Sequence, residues 1–552
     1  MIAALLAMPT VALADESAEE GPVPADLSRL VHDTGREPVP TAEKDAIKLL
    51  IRGEYQLRGQ LERSFPMDPT LSFRVANPGV REASLGQNAF FTNWLRLTPR
   101  LQIKDSLEIV GQVDVAQGFV FGQTSRDVGA DQQPRDNAGD VGSYLLPRWL
   151  YVSWRTKYGL WRVGMQGNHW GMGILANDGD HPSMWGDYRL GSISERVLFG
   201  TKPLGEKSAW TVALAGDLVY RDQQARLYRG DVAFQGVLAT YLEKGPNQIG
   251  LFAVCRSQNT DKQSGTVGDL FKYSEGLTAG ILDVAGKFAA PVPGNADTWL
   301  YGSAEAALVF GETNLLRTPD QAASNAKTKL LSYGGAALFG VVHATAREHK
   351  PKDSKTPDRW GDLVGQVEVG YASGDADPND GTEKRFTFDP NHKVGLLLFD
   401  EIMRWQTARA SVAAQDPLLA NAQRPTPGVQ LLPSNGGVFG AQYIHPTFIW
   451  RPRHFWDLKA GAVIAQTTAD LVSPYRLALD GAYVNYRGGS AKARDLGVEL
   501  DFGTEVRIPV QSGTLSLGAQ GGVLFPGGAF ADANGKTPDA PWMATLRAGL
   551  QF

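Results

Sequence analysis

The chain has a single cysteine, Cys255, among its 552 residues. One cysteine cannot form an intramolecular disulfide, and its isolation excludes a cysteine-rich metal site. Neither sign of charge dominates, because 54 Lys and Arg residues stand against 59 Asp and Glu residues, for a net charge of −5. This near balance predicts neither a nucleic-acid partner nor a polybasic surface for binding lipid headgroups.

Long hydrophobic runs are also missing, because no segment reaches the roughly 18 apolar residues that a transmembrane helix needs. The mean hydropathy of −0.22 still permits a membrane barrel, since only alternate residues of a barrel strand face lipid. Glycine, by contrast, is abundant at 62 residues. That content favours one large all-β unit rich in turns.

The N-terminal residues 1–14 have the features of a secretory signal peptide. They combine an apolar stretch with a small-x-small cleavage sequence at Ala12-Leu13-Ala14, although no Lys or Arg precedes the stretch. Residues 15–45 are Pro-rich and acidic without periodicity, which predicts a flexible periplasmic leader or a short segment that enters the lumen. An exported chain of this kind belongs to the periplasm, the outer membrane or the outside.

Alternation of apolar and polar residues is the strongest positive pattern. It is clearest over residues 49–62, 496–508 and 544–552, where apolar residues recur at every second position, with Leu50 and Thr504 as exceptions, and most residues between them are polar, charged or glycine. In the second of these segments the pattern assigns Leu496 to the lipid face. Segments of about ten residues with this period are typical of tilted strands that cross a bilayer.

The connections between these segments alternate in length. Short ones fall at 104–105, 157–159, 205–207, 244–246, 293–295, 451–453 and 511–513, with a looser one near 355–357, and long polar segments separate them. A soluble β-sandwich also alternates apolar and polar residues, but this layout of short and long connections is that of a porin. We therefore predict an all-β fold over residues 46–552: a transmembrane antiparallel β-barrel of about 18 strands, with short periplasmic turns and long extracellular loops.

Tryptophan placement supports the same orientation. Seven tryptophans lie within a few residues of a predicted short turn, where an interfacial aromatic girdle belongs. They are Trp154, Trp161, Trp210, Trp299, Trp360, Trp450 and Trp456.

The polar face of the predicted strands supplies candidates for the lumen wall. Its charged members are Arg52, Glu54, Arg58, Glu62, Arg96, Arg100, Glu108, Asp114, Arg162, Glu368, Glu499, Asp501, Glu505, Arg507 and Arg547. The signs are mixed, which favours water and polar solutes over selection by charge. Much of this charge is expected to pair between neighbouring strands.

The longest connection, residues 374–437, is too long to be an idle polar loop. Its segment LLLFDEIMRWQTARA has apolar residues at mixed three and four spacing, which predicts a short helix. If the connection folds into the barrel, Asp400, Glu401, Arg404 and Arg409 can line a constriction. An external cap that leaves the lumen untouched is the alternative.

Two kinds of chemical site were considered and neither is strongly supported. Asp375, Asp377, Asn379 and Asp380 have oxygen ligands at calcium-loop spacing, but the glycine falls one place late and a solvated acidic loop is the favoured interpretation. The histidines His169, His181, His392 and His445 are not placed beside a nucleophile by any sequence pattern. We therefore expect no enzyme and, apart from the weak calcium site, no cofactor.

Three stretches of the chain resemble the alginate-export and related porin-like families of outer-membrane barrels. They are VGMQGNHWGMGILANDG at 163–179, GYASGDADPNDGTEKRFTFDPNHKVG at 370–395 and DLGVELDFGTEVRIP at 495–509. The resemblance implies an 18-stranded barrel that lets carbohydrate or other polar solutes cross the outer membrane. It also implies an arginine-dominated lumen, whereas the candidate wall has both signs of charge.

The expected function is an outer-membrane channel for polar solutes, with polysaccharide export as a special case. Expected partners are outer-membrane lipid, polar solutes or polysaccharide and, for export, periplasmic proteins; no nucleic acid is expected. A plugged barrel that acts in envelope structure or binds envelope polysaccharide is the alternative, and a barrel-embedded hydrolase is a third hypothesis.

Overall fold

The computed structural model describes residues 47–65, 87–122, 145–181, 183–186, 191–263, 272–314, 324, 326–343, 363–377, 380–407, 433–453, 455–473, 476–477, 481–510 and 513–552. The predicted signal peptide and leader, the turn near 355–357, Trp360, Asn379 and Arg409 lie outside these ranges. No helix among the described residues has both the length and the apolar content needed to cross a bilayer.

The described chain is built almost entirely of strands. They are β1 (Ile47–Arg63), β2 (Gln87–Ile103), β3 (Leu107–Gly122), β4 (Leu145–Thr156), β5 (Gly159–Gly167), β6 (Ile193–Thr201), β7 (Trp210–Arg221), β8 (Asp231–Lys244), β9 (Asn247–Gln263), β10 (Lys272–Val292), β11 (Asn295–Thr313), β12 (Thr328–His343), β13 (Leu363–Ala372), β14 (Thr382–Glu383), β15 (Ala441–Arg453), β16 (Trp456–Thr467), β17 (Asp495–Val510), β18 (Gly513–Pro526) and β19 (Trp542–Gln551).

The sheet closes on itself, because β1 pairs antiparallel with both β2 and β19. At the seam, the N–H of Phe552 donates to the carbonyl oxygen of Gly53 at 2.9 Å, and the N–H of Gly53 donates back at 2.8 Å. The two-residue β14 pairs only with β12, while β13 pairs directly with β15, so 18 of the 19 strands form the wall. The predicted barrel of about 18 strands is confirmed, and closure removes every exposed strand edge.

Alternation along the strands separates an apolar outside from a polar inside. On β1, the side chains of Leu49 and Ile51 are 62% and 59% exposed, whereas Arg58 and Glu62 are buried. Leu546 on β19 is likewise exposed. Apolar side chains can remain on the outer surface of a barrel because that surface meets hydrocarbon.

The short turns lie at one end of the barrel, close to their predicted positions. Strands β4 and β5 are joined by Lys157-Tyr158, and Trp154 and Trp161 pair across that turn with exposed rings, as an interfacial girdle requires. The short connection predicted near 451–453 falls about two residues later, because β15 continues to Arg453 and β16 begins at Trp456. A register shift between Trp450 and Arg453 accommodates Pro452, which has no N–H for the strand ladder.

Leu496 does not face lipid, and that prediction is wrong. On β16, Ala465 pairs with Gly497 and Gln466 pairs with Asp495, so Leu496 is an extra residue without a partner in the register. Such a β-bulge breaks the strict alternation of sides. Leu496 consequently turns inward and joins the largest buried apolar cluster.

Two loops from the long-connection end fold into the barrel. The β5–β6 loop (residues 168–192) and the β14–β15 loop (residues 384–440) contribute side chains to the same buried cluster as the wall strands. The predicted short helix lies in the second loop, as a π-helix over Leu398–Met403 that runs on into one further helical turn at 404–407. The helical segment at 398–407 thus belongs to the same buried apolar cluster as inward-facing residues of the wall.

Candidate functional site

The β5–β6 loop turns back on itself as soon as it leaves the wall. The N–H of Trp170 donates to the carbonyl oxygen of Ala176 at 3.0 Å, and the side-chain amide of Asn177 donates to the carbonyl oxygen of Gly173. Gly173 has a φ of +77°, a conformation that glycine adopts without strain. These local bonds give the loop a defined shape of its own.

A buried charge network ties this loop to the nearby wall. Arg96 on β2 bonds to Asp114 on β3 at 2.7 Å and to Asp180 in the loop at 2.6 Å. Arg148 on β4 donates to the backbone carbonyl oxygen of Asp178 at 2.7 Å. Because charge-assisted bonds between buried groups are strong, residues 178–180 are fixed against the β2–β4 wall.

The same loop also reaches the far wall. Lys459 on β16 donates to the carbonyl oxygen of Met184 at 3.1 Å, and Gln520 on β18 donates to that of Trp185 at 3.3 Å. Around the barrel, β16 follows β5 through β4, β3, β2, β1, β19, β18 and β17, which places it nearly opposite β5 in a ring of 18 strands. The β5–β6 loop therefore crosses the lumen.

Glu305 on β11 gives this loop a third attachment. Its carboxylate accepts the backbone N–H of Met172 and, at 3.4 Å, that of Ile174. Gly171 allows the close approach, since a Cβ there would lie 2.5 Å from the Oε2 atom of Glu305. A glycine with a φ of +56° thus lets the loop backbone sit directly on a wall carboxylate.

The β14–β15 loop is anchored in the same manner by Glu499 on β17. The Glu499 carboxylate accepts the backbone N–H groups of Leu396, Leu397 and Leu398 at 2.5, 2.7 and 2.7 Å. Gly395 precedes them with a φ of +67°, and a Cβ at that position would lie 2.6 Å from the Oε1 atom of Glu499. Three donors converging on one buried carboxylate form a strong, directional anchor.

The predicted constriction residues lie on the helical part of this loop. Asp400, Glu401 and Arg404 are all buried, and Arg409 lies outside the described residues. Asp400 pairs with Lys393 at 2.6 Å, and Glu401 pairs with Arg404 at 2.5 Å. Internal pairing therefore occupies these charges, and they brace the helix within the lumen.

The two loops contact each other beside strands β11 and β13 of the wall. The N–H of Asp389 in the β14–β15 loop donates to the carbonyl oxygen of Ile174 in the β5–β6 loop at 2.6 Å. The Nδ1 atom of His392 lies 3.1 Å from the carbonyl oxygen of Met172. Burial raises the pKa of Asp389 to about 7, so roughly half of these carboxyl groups are protonated at neutral pH.

His392 also reaches the wall, through Glu368 on β13. Tyr443 on β15 donates its hydroxyl to the same Glu368 oxygen at 2.5 Å. Burial alone would lower the pKa of His392, but the charge and hydrogen bond of Glu368 outweigh it, so the pKa lies above its usual value. A charged imidazole is thereby favoured where loop and wall meet.

The predicted lumen residues all lie on strands and are buried or partly buried. They are Arg52, Glu54, Arg58, Glu62, Arg96, Arg100, Glu108, Asp114, Arg162, Glu368, Glu499, Asp501, Glu505, Arg507 and Arg547. Several pair across neighbouring strands as expected, including Arg100 with Glu108 at 3.1 Å and Arg507 with Asp457 at 3.0 Å. Much of the charge on the wall is therefore neutralised by ion pairs between neighbouring strands.

The predicted calcium residues lie in a loop with internal bonding. One Asp375 oxygen accepts the N–H of Asp377 at 3.1 Å, and the other accepts the N–H of Lys384 at 3.3 Å. Asp380 forms an ion pair with the Lys384 side chain. These contacts account for the positions of both carboxylates without a cation, so calcium binding stays a prediction.

A different group has metal-binding geometry. Among the described residues, His169, Asp178 and His181 of the β5–β6 loop bring one ligand atom each within 4.8 Å of one another. Burial raises the pKa of Asp178, but the two histidines and the N–H of Asp180 together bring it well below its usual value. Asp178 is therefore held as a carboxylate.

The sequence did not identify Glu305, Arg148 or Asp180 as site residues, nor the grouping of His169 with His181. Their partners lie far away along the chain; Glu305 and Met172, for example, are 133 positions apart. The available signal was the pair of glycines at the anchors, Gly171 and Gly395, because glycine marks places where a backbone approaches another group closely.

A closed antiparallel barrel with an apolar outer face and loops folded into a polar lumen defines a porin-like outer-membrane protein. The chain is similar to the crystal structure of Pseudomonas aeruginosa OccK2 (OpdF), with 11% identity, 91% of this chain and 98% of that chain covered, and a TM-score of 0.44. The chain is also similar to the crystal structure of Acinetobacter baumannii OccAB1, with 11% identity, 91% of this chain and 97% of that chain covered, and a TM-score of 0.45. A third similar structure is that of a BenF-like porin from Pseudomonas fluorescens Pf-5, with 12% identity, 91% of this chain and 99% of that chain covered, and a TM-score of 0.45.

No family model and no curated protein matches the chain. The resemblance to the alginate-export family is therefore not shown. Similarity to solved structures at this level transfers no solute, partner or residue role to the present chain, and the barrel assignment rests on the strand pairing itself.

Proposed function

We propose that the protein is an outer-membrane channel for small polar solutes, in which the β5–β6 and β14–β15 loops set the width of the passage. The observation that supports this is the anchoring of both loops on wall carboxylates, Glu305 for the first and Glu499 for the second. Loops held in this way put the narrowest region inside the membrane, where polar groups can replace part of a solute's hydration.

The exposure of the charged wall residues supports a wet passage on the short-turn side of the loops. Arg100 and Glu108 keep 22% of their side-chain surface exposed, whereas Glu499 and Asp501 at the level of the β14–β15 loop are fully buried. A vestibule with both signs of charge suits neutral or zwitterionic polar solutes better than strongly charged ones.

Small solutes fit better than a polysaccharide chain. The β5–β6 loop bonds to both sides of the lumen, through Arg96 on β2 and Glu305 on β11, which lie nine strands apart in the ring of 18. A polymer would have to displace this loop for as long as it remained in transit. Export of polysaccharide and the periplasmic partners it would require are accordingly the less supported proposal.

A closed barrel with a structural or polysaccharide-binding role is the competing function. Leu397, Leu398 and Ile402 have no exposed surface, which favours a lumen sealed at their level. The hydrolase hypothesis gains less support, because Nε2 of His392 faces Glu368 and the other ring nitrogen faces the carbonyl oxygen of Met172, where a catalytic triad would have a serine hydroxyl.

Liposome swelling with the purified, refolded protein tests the proposal. Vesicles are exposed to a graded series of solutes, from amino acids and monosaccharides to linear oligosaccharides. We expect rapid swelling with the smallest solutes and a steep loss as size increases. Vesicles with heat-denatured protein and the surface variant Glu206→Gln, in the exposed β6–β7 turn, serve as controls. Absence of swelling for every solute supports the sealed barrel, and equal swelling for oligosaccharides supports a wide export pore.

A further inference from the structure

The β5–β6 loop contains a cluster of side chains with metal-binding geometry. The Nδ1 atom of His181 lies 3.0 Å from the Oδ1 atom of Asp178, and the Nδ1 atom of His169 lies 3.9 Å from the same oxygen. The two imidazole rings lie side by side, with centroids 4.1 Å apart. We propose that His169, Asp178 and His181 bind a divalent transition-metal cation of the Zn²⁺ class.

The distances suit such an ion. In a tetrahedral zinc site with bonds of about 2.0–2.2 Å, the ligand atoms lie about 3.3 Å from each other. Two of the three separations, 3.0 and 3.9 Å, bracket this value, and the third is no longer than 4.8 Å, so shifts of up to roughly 1.5 Å complete the geometry. Two imidazoles and one carboxylate favour Zn²⁺, Co²⁺ or Ni²⁺ over calcium or magnesium, which prefer oxygen ligands alone.

The backbone that holds the ligands is rigid. The Oδ1 atom of Asp178 accepts the N–H of Asp180 at 2.9 Å, and Arg148 holds the carbonyl oxygen of Asp178. Gly167 at the end of β5 makes room for the carboxylate, because a Cβ there would lie 2.6 Å from the Cβ of Asp178. A ligand fixed by surrounding contacts loses little conformational freedom when it binds a metal.

The local charge also favours a cation. Three carboxylates, on Asp114, Asp178 and Asp180, face two guanidinium groups, on Arg96 and Arg148, so these five side chains sum to −1. With both histidines neutral, a divalent ion would meet a net negative charge that is buried and therefore weakly screened by water. Charge and ligand chemistry therefore agree.

Access to the site is from the side of His181. The His181 side chain is 29% exposed, whereas that of Asp178 is 2% exposed. Three protein ligands leave one position of a tetrahedral ion open, which water can occupy. A bound ion would thus join both ends of the turn between His169 and His181.

Calorimetric titration of the full-length refolded barrel with Zn²⁺ tests the proposal, and Co²⁺ absorption gives a second readout of tetrahedral nitrogen and oxygen ligation. We expect one equivalent of metal to bind. His181→Gln and His169→Gln each weaken binding by at least about 100-fold, more than the loss of an outer-shell partner usually does. The matched control is His343→Gln, at a wall histidine that contacts Thr298 at 2.7 Å, and it leaves binding unchanged.

The competing interpretation is a metal-free hydrogen bond between His181 and Asp178. Failure of the wild-type barrel to bind either metal would overturn the proposal, as would equal affinities for wild type and His181→Gln. Equal losses in His181→Gln and His343→Gln would also overturn it. Because His181 is partly exposed, its variant is expected to fold, which heat-modifiable gel mobility verifies. Metal binding needs no conduction, so the outcome is independent of the proposed function.

Discussion

The Nε2 atom of His392 lies 3.0 Å from the Oε1 atom of Glu368, and this contact links the β14–β15 loop to strand β13. The other ring nitrogen of His392 faces the carbonyl oxygen of Met172 in the β5–β6 loop at 3.1 Å. One imidazole therefore joins both inward-folded loops to the wall. The charge on this imidazole is therefore expected to affect how strongly the two loops are held to each other and to the wall.

The position of the loops should depend on pH through His392. Its pKa is raised in the folded protein, so the stabilisation is fully present below the ordinary value of about 6.5 and is lost as the pH rises through the raised value. Glu368, His445 and Asp389 are the other titratable groups that act on this histidine. We expect hydrogen exchange in residues 384–407 to accelerate as the pH rises above the ordinary histidine pKa of about 6.5, beyond the intrinsic effect of pH.

The control for this prediction is His392→Gln, which keeps a hydrogen-bonding side chain but cannot titrate. Exchange in the variant, corrected for intrinsic rates, should be faster than in wild type at the acidic end and should depend less on pH, with Asp389 responsible for the remaining dependence. A variant that retains the pH dependence of the wild type would show that another group is responsible.

Substitution of Gly395 should weaken the anchor on Glu499. Gly395→Ala has two costs. The φ of +67° adds backbone strain of about 1–2 kcal/mol for a residue with a side chain. The new Cβ, 2.6 Å from the Glu499 carboxylate, also forces that carboxylate to move. Gly294→Ala is the matched control, because its φ is +79° and a Cβ there meets nothing within 4 Å. Urea unfolding in lipid vesicles should give a larger loss for Gly395→Ala, and equal losses would refute the anchoring role.

Removal of Arg96 should release one end of the β5–β6 loop. Arg96→Ala leaves Asp114 and Asp180 buried without their shared cation, and loss of one partner from a buried charge network costs about 3–5 kcal/mol. The exposed Arg155 on β4 provides a control, since Arg155→Ala should change the unfolding free energy by less than about 0.5 kcal/mol. If both variants lose the same stability, the network does not hold the loop.

The barrel itself was readable from the sequence, because every strand repeats the same two-residue period and each short turn interrupts it. Leu49 and Leu546 face outward as the alternation predicts. The alternation fails at Leu496, where a β-bulge adds one residue to β17 and turns an apolar side chain from the outer face to the inner face. A bulge depends on pairing with the neighbouring strand, which the local pattern does not contain.

The candidate site was predictable only in part. The sequence singled out Asp400, Glu401 and Arg404 as constriction residues and Glu499 as a wall residue, and the structure places all four in one buried region. It did not predict that Glu499 binds the backbone at Leu397, because that contact joins positions 102 residues apart. Contacts between a loop and a distant strand are set by closure of the barrel, not by local periodicity.

Single-channel recording in planar lipid bilayers tests the central claim most directly, by comparing wild type with Glu499→Gln and with the surface control Glu206→Gln. The variant halves the charge-assisted anchoring of the Leu396–398 backbone by neutralising its acceptor. We predict a small, steady conductance for the wild type and the control, and a larger, fluctuating conductance for Glu499→Gln. Identical currents from all three proteins, or no current from any, would contradict a passage whose width is set by the anchored loops.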